Sequence, residues 1–369
     1  MKVFYLTNIP SPYRVAFWNL LGTHCELTVV FEKFNERNRE WAISGVGENF
    51  KAGILGGVTL GIQYHFNPGI IKHLREYQYD VYVIGGFAAP TDMLAIRELK
   101  RQKKPFILSA DGGFPRPGDD SITGAIKRNL ISSAAKYMSS GTVCDEYLKC
   151  YGARPGDLYR YHFSSVFENE IGPEPLSDIR KAALRNMYGL KNNVVISVGQ
   201  FIHRKGFDLL LDMWGHFRRD DTTLLIVGGG PQKRMYQNII RHHDLKNVVI
   251  IDFLQRAKLF ELYRLADLFV FPTRYDIWGL VPGEAMANGL PVIASHNAAS
   301  IHDLITDGVN GLVEELEYPI RWARDMEDLI EDQNTRRELS EKAVETMRSY
   351  TIEAMVRDYM LAFNDITRL

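Results

Sequence analysis

Cysteine is scarce. Cys25, Cys144 and Cys150 are the three in 369 residues, and no two stand at C-x-x-C spacing. That excludes a dithiol redox motif and a cysteine-built zinc site, and it implies reduced, inert thiols in a cytoplasmic setting. No apolar run approaches the roughly 20 residues a membrane-spanning helix needs, and the opening Met1–Leu6 reads as a strand, not a leader. Neither G-x-x-x-x-G-K-[ST] nor H-E-x-x-H occurs, so a P-loop and a zincin helix are ruled out. Charge of one sign is lacking too: 44 Lys+Arg face 45 Asp+Glu, a net −1. Residues 1–170 carry 20 Lys+Arg against 17 Asp+Glu, too slight a surplus for a nucleic-acid binder, though it leaves room for an anionic partner.

What is present is α/β periodicity. Short apolar runs of strand length occur at Lys2–Leu6, Leu27–Phe31, Val81–Ile84, Phe106–Ser109, Asn193–Val198, Leu224–Val227, Val248–Ile251, Leu268–Phe271 and Pro291–Ala294. Helical spacing lies between many of them, at Tyr13–Leu21, Thr91–Gln102 and Asp178–Tyr188. Residues 32–66 resist assignment. Alternation of this kind folds as parallel sheets with crossover helices, and the length fits two domains. A Gly-Pro-Glu-Pro linker inside Phe167–Ser177 sets the expected boundary: one domain over residues 1–170, a second over 171–349. The apolar helix beginning at Ile352 forms the final segment, 350–369.

Open parallel sheets bind ligands at the carboxyl ends of their strands. In the first half those loops hold Arg14, in Asn8–Arg14, and Asp111, ahead of Gly112-Gly113. Asp111 could orient a hydroxyl, or simply form a turn. The basic run Arg97–Lys104 reads as a solvated helix face, with attraction to anionic headgroups as its alternative. In the second half, the strand Asn193–Val198 runs into a cationic loop with Arg204 and Lys205, suited to offsetting charge on a departing phosphate. The organising stretch is LFVFPTRYDIWGLVPGEAMANGLPVIAS, Leu268–Ser295. It reads strand, loop, helix, strand, with Asp276, Trp278 and Gly279 exposed before a helix over Leu280–Asn288. A helix start beside two carboxylates suits a sugar phosphate. Equally, Asp276 could cap that helix and Glu284 complement its dipole.

Asp276, seven residues, then Glu284 with Ala285-Met286-Ala287 and Gly289-Leu290-Pro291-Val292 resembles the E-x7-E region of GT-B retaining glycosyltransferases of family 4. The loop holding Lys205-Gly206, the Gly228-Gly229-Gly230-Pro231 turn and Thr306–Val313 are similar to further elements of that family. The N-P-S-P-Y-R-type opening and Asp111-Gly112-Gly113 resemble its bacterial polysaccharide-assembly members. The resemblance implies two Rossmann-like domains facing across a cleft, with the last helix crossing back to the first. It implies transfer of a sugar from a nucleotide sugar, a UDP-sugar by preference, to a hydroxyl of a growing or lipid-linked saccharide, with retention at the anomeric carbon. Glu284 would hold ribose. Asp276 and the amides of Ile277, Trp278, Gly279 and Leu280 would hold the sugar. Lys205 and Arg204 would stabilise the diphosphate, while Gly228, Phe253 and Leu254 would lie along the nucleotide. Gln200 stands where the family usually has arginine, a gap Arg204 could fill. Arg14 and Asp111 would face the acceptor. Many metal-dependent transferases hold a divalent cation with a D-x-D triplet; none occurs here, so no metal or other cofactor is expected. Peripheral contact with the inner membrane face is the further expectation, and no nucleic-acid partner is.

Two rival readings stand beside this one. Gly228-x-Gly230 with Asp252 closing the next strand is a partial dinucleotide signature, although Lys233 occupies the third glycine's place. A non-catalytic binder of nucleotide sugars is the other, motivated by Gln200 and by Asp276 in place of glutamate.

Overall fold

The computed structural model describes residues 1–36, 42–61 and 64–368. The chain divides into two compact units, Met1–Ser165 with Thr351–Leu369, and Val166–Tyr350. The first unit runs β1 (Lys2–Thr7), α1 (Pro12–Leu21), β2 (Glu26–Phe31), β3 (Lys51–Ile54), β4 (Val58–Leu60), β5 (Tyr64–Phe66) and α2 (Gly69–Glu76). It continues through β6 (Val81–Ile84), α3 (Pro90–Arg101), β7 (Ile107–Ala110), α4 (Ile122–Ile131), β8 (Lys136–Ser139), α5 (Thr142–Cys150) and β9 (Leu158–Arg160). Seven of these strands form one sheet in the order β3-β2-β1-β6-β7-β8-β9, every neighbour parallel. The order reverses between β1 and β6, which marks the switch point of a doubly wound sheet. Strands such as Val81–Ile84 are apolar at every position because helices cover both faces.

Of the region before Asn67 that resists assignment, the described residues hold β3 and the antiparallel pair β4 and β5, while 37–41 and 62–63 lie outside the described residues. β3 is an edge strand with three of its four residues at or near the surface and Gly53 within it, so it carries no apolar signature.

The second unit holds α6 (Asp178–Tyr188), β10 (Asn193–Val198), α7 (Phe207–His216), β11 (Thr222–Val227), α8 (Lys233–His242), β12 (Val248–Ile251), α9 (Arg256–Leu265) and β13 (Leu268–Phe271). Then follow α10 (Leu280–Ala287), β14 (Val292–Ser295), α11 (Ile301–Leu304), β15 (Leu312–Glu314), α12 (Pro319–Glu331) and α13 (Gln333–Met347). Its six-stranded sheet is again parallel throughout, in the order β12-β11-β10-β13-β14-β15. The Pro-rich stretch after Phe167 packs on this unit: Gly172 N–H donates to the Ala287 carbonyl at 2.8 Å, and Ile171 and Leu176 lie against its core.

The last helix, α14 (Ile352–Ile366), belongs to the first unit. Tyr359 is fully buried, its hydroxyl 2.6 Å from Ser109 Oγ and 3.3 Å from Tyr5 Oη. Asp358 accepts from both the backbone N–H of His162 (2.9 Å) and its Nδ1 (2.8 Å), and Asp365 meets Lys136 at 2.8 Å. His162 is thus an anchor for α14. Cys144 is buried and its thiol is pushed up to about 11 by burial, in keeping with an inert role.

A buried acid pair lies at the end of β2. Glu32 and Asp92 are 3% and 6% exposed. Burial, with Asp92 and then Glu36 beside it, pushes Glu32 up to about 10, and burial raises Asp92 to about 6. His65, close to Glu36, is held below its ordinary value, chiefly by burial. Because the Glu32 value is raised on folding, the folded chain binds the extra proton from the ordinary carboxylate range up to about 10, and stability falls as pH rises through that window. Glu32→Gln keeps the shape and supplies a permanent N–H toward Asp92. It should raise the melting temperature at pH 8 and flatten its decline between pH 6 and 9. An unchanged slope would show that Glu32 is ionised in the folded chain.

Candidate functional site

Two loops at the carboxyl ends of neighbouring strands, β10 and β13, press together backbone to backbone. After β10 the chain makes a tight turn at His203–Lys205 and reverses at Gly206, whose φ of +71° favours glycine. A Cβ there would also stand 1.9 Å from the Pro272 carbonyl oxygen. The Arg274 amide donates to the Arg204 carbonyl at 2.8 Å, and Thr273 Oγ1 donates to the same oxygen at 3.0 Å. Arg274 then grips Asp208 with two 2.7 Å bonds, fixing the start of α7 to the β13 loop.

This clamp brings Lys205, Arg204 and Asp276 together, although 71 residues separate lysine and acid. Lys205 Nζ and Arg204 Nη1 both meet Asp276 Oδ2, the latter at 3.0 Å. The Asp276 backbone is fixed on each side, its N–H donating to Asn297 O and its carbonyl accepting from Ala299 N–H, both at 3.0 Å. The Asp276 side chain is 8% exposed. Burial works to raise its pKa, but the two cations outweigh it and hold the acid below the usual range. The acid therefore stays ionised at neutral pH, and the stability it contributes is lost only as pH falls through that lowered value.

Two expectations change here. Asp276 does not cap the following helix: Gly279 occupies the cap position of α10, with no side-chain cap bond. Lys205 is nearly buried in its loop: its side chain is only 10% exposed and its ammonium lies 5.1 Å from the Phe271 ring centre. Trp278, read as an exposed loop residue, is buried. Both depart from the sequence reading because the β13 loop folds over the β10 loop instead of standing clear of it.

Beyond Asp276, Ile277 is 43% exposed, the Trp278 carbonyl accepts from Ser300 N–H at 3.2 Å, and α10 starts at Leu280. Glu284, one turn into α10, has its side chain 13% exposed, near Tyr263 Oη (3.5 Å) and Arg256 Nη1 (3.8 Å). Sequence reasoning passed over Arg256 and Tyr263. The one signal was a cation at the start of a helix close in sequence to the Asp252–Leu254 segment.

Gly228 follows β11 and is crossed by the β10 loop: a Cβ on it would meet the Gly199 carbonyl oxygen at 1.9 Å. Phe201 N–H donates to Gly229 O at 2.7 Å, and Gln232 N–H donates to Phe201 O at 3.0 Å. The glycines thus make room for protein backbone, and Asp252 pairs with Lys233 at the surface. The dinucleotide reading loses its physical basis. Phe253 and Leu254 are half-buried after β12, with Leu254 packed against the unit's core.

In the first unit Arg14 and Asp111 are also brought together. Arg14, 5% exposed, pairs with Asp111 and donates to Tyr161 Oη at 3.3 Å, and Tyr161 Oη donates to Asp111 at 2.9 Å. Arg14 also lies 4.7 Å from the Phe163 ring centre. Asp111 is held from across the sheet, not used as a turn former, and keeps 38% of its side chain exposed. Among the described residues no group of three or more His, Cys, Asp or Glu is placed to hold a metal ion, and no helix is long and apolar enough to cross a membrane.

Two doubly wound parallel sheets, the second with a cationic loop closed over an acid, define a GT-B fold. The chain superposes on Anabaena HepE in complex with UDP and glucose with a TM-score of 0.79, covering 99% of each chain at 16% identity. Residues 181–346 match the family described as glycosyl transferases group 1. The chain has a GT-B fold, and that stretch is similar to the family and to relatives named glycosyltransferases. It is 29% identical over 234 residues to the alpha-D-kanosaminyltransferase of Streptomyces kanamyceticus, matching 62% of this chain and 60% of that one. The chain thus spans less than two thirds of that relative's length. It is also 25% identical over 321 residues to a GDP-mannose-dependent alpha-mannosyltransferase of Corynebacterium glutamicum, 82% of this chain and 71% of that one.

Proposed function

We propose that this protein is a retaining glycosyltransferase that moves a sugar from a UDP-sugar to a hydroxyl of a growing or lipid-linked saccharide. The setting is cell-surface polysaccharide synthesis on the cytoplasmic side of a membrane. The observation that carries it is the convergence of Lys205 and Arg204 on one oxygen of Asp276 at the carboxyl edge of the second sheet. Such a group combines fixed positive charge with an ionised acceptor. When the bond between the anomeric carbon and the diphosphate breaks, negative charge grows on the β-phosphate, and prepositioned cations stabilise it at no further cost of reorganisation. The acceptor oxygen then bonds the anomeric carbon, and its proton leaves with the departing phosphate. Asp276 accepts from the transferred sugar, aided by the amides from Ile277 to Leu280. Glu284 accepts from the ribose, with Arg256 and Tyr263 holding its carboxylate. Gly228, Phe253 and Leu254 line the nucleotide. Arg14 and Tyr161 orient Asp111 toward the acceptor hydroxyl.

The donor preference is supported by the UDP bound in the Anabaena protein, with the GDP-mannose-dependent relative as its rival. Purified protein should release nucleoside diphosphate from a UDP-sugar when a saccharide acceptor is present, and should do so in EDTA. Glu284→Gln should weaken donor binding by roughly tenfold, the scale of a lost charge-assisted hydrogen bond, with little change in melting temperature. Loss of activity with chelator, restored by Mg²⁺ or Mn²⁺, would overturn the metal-free mechanism. Donor affinity untouched by Glu284→Gln would overturn the ribose assignment.

A further inference from the structure

Arg256 opens α9 and faces two carboxylates at once, Glu170 and Glu284. Its Nη2 donates directly to Glu170 Oε2, whereas Nη1 stands 3.8 Å from Glu284 Oε1, beyond hydrogen-bond reach. Phe260, one turn further along α9, has its ring centre 3.9 Å from the guanidinium carbon. The cation is thus fixed from two sides, and neither of them is Glu284. Glu170 is itself held in place. It ends the short turn Glu168–Glu170, and its Oε2 also accepts from the Phe167 N–H at 2.8 Å. Two residues on, the Gly172 N–H bonds the Ala287 carbonyl, so the same segment is fastened to the helix that carries Glu284. The Arg256 and Glu170 side chains are 39% and 29% exposed. Pairs in such contact with water contribute little to folding, so stability does not account for this one.

We infer that Glu170 is a positioning residue of the donor site, holding Arg256 back from Glu284. This rests on the reading that Glu284 accepts from the ribose. A guanidinium closed onto Glu284 would make a charge-assisted bond that the ribose hydroxyls would have to displace. Held about 1 Å short of such a bond, the same guanidinium still draws the carboxylate towards α9 without taking the hydroxyls' place. Neutralising Glu170 releases Arg256 to cross that gap. The cost then falls on the ribose hydroxyls alone, because they are the groups that compete with the arginine.

The test is calorimetric titration of the full chain with UDP and GDP, then with the 2′,3′-dideoxy form of whichever binds. The parent should prefer the ribose form by roughly tenfold, the scale of a lost charge-assisted hydrogen bond. Glu170→Gln keeps the shape and still accepts from the Phe167 N–H, so the melting temperature without nucleotide should not move. It should weaken the ribose form by roughly fivefold, part of that same preference, and leave the dideoxy form as it was. On an Arg256→Met background the same change should have no effect, since the cation it restrains is gone. Equal weakening of both nucleotides overturns the inference, because Glu170 would then only shape its turn. So does a loss that survives Arg256→Met, and so does ribose-form binding that Glu170→Gln leaves untouched. In all three cases a parent that still prefers the ribose form keeps Glu284 as its ribose acid. A parent that binds both forms alike overturns the ribose assignment itself, and the role of Glu170 with it.

Discussion

Replacing Lys205 with alanine should lower nucleotide-sugar turnover by at least roughly tenfold, about 1.4 kcal/mol of barrier. The ammonium is fixed in place before the reaction, so its loss falls on the transition state, where diphosphate charge is greatest. Its burial beside Asp276 adds a stability cost, because the acid is left with Arg204 alone. The double change Lys205→Ala, Asp276→Asn separates the two effects. It removes the stranded charge, so melting temperature should recover while turnover stays low. Arg204→Ala should lose activity comparably if its guanidinium serves in place of the arginine that Gln200 replaces, and adding Gln200→Arg should restore part of it. Turnover within about twofold of the parent in folded Lys205→Ala would remove the lysine from the mechanism.

Asp276→Asn alone should move binding and turnover in opposite directions. The isosteric amide frees Lys205 and Arg204 from the carboxylate, so UDP alone should bind roughly fivefold more tightly, about 1 kcal/mol, from the removal of one neighbouring negative charge. Sugar transfer should fall by tenfold or more, because the transferred sugar loses an ionised acceptor. Calorimetric titration with UDP beside a diphosphate-release assay reads both. Weaker binding together with slower turnover would mean that Asp276 merely builds the loop.

The strands that the sequence made legible are those buried on both faces. Val81–Ile84 and Leu268–Phe271 are continuous apolar runs buried at every position, Asn193–Val198 is buried at all but its first residue, and each is a strand with the expected bounds. β3 was not legible, because a half-exposed edge strand containing glycine does not have to be apolar. At the site, the residues were legible but their partners were not. Lys205 and Asp276 each stood out by local pattern, as did Arg14 and Asp111, yet the first pair spans 71 positions and the second 97. Contacts of that range depend on strand order, which no local spacing encodes. Arg256 and Tyr263 went unseen for a related reason: each sits in an ordinary helical pattern, and only the packing of α9 beside α10 brings them to Glu284.

Helix α14 imposes an order of events on synthesis. Tyr5 and Tyr359 meet in one core although 354 residues separate them. The second unit, Val166–Tyr350, is therefore translated in full before the first can close. While the ribosome is still working, β1 and α1 wait without the side chain that fills the space between Tyr5, Phe17 and Tyr161. The middle of the chain has every strand of its own sheet available by then. Folding should start there, and the beginning of the protein should be the last part to become resistant to a protease.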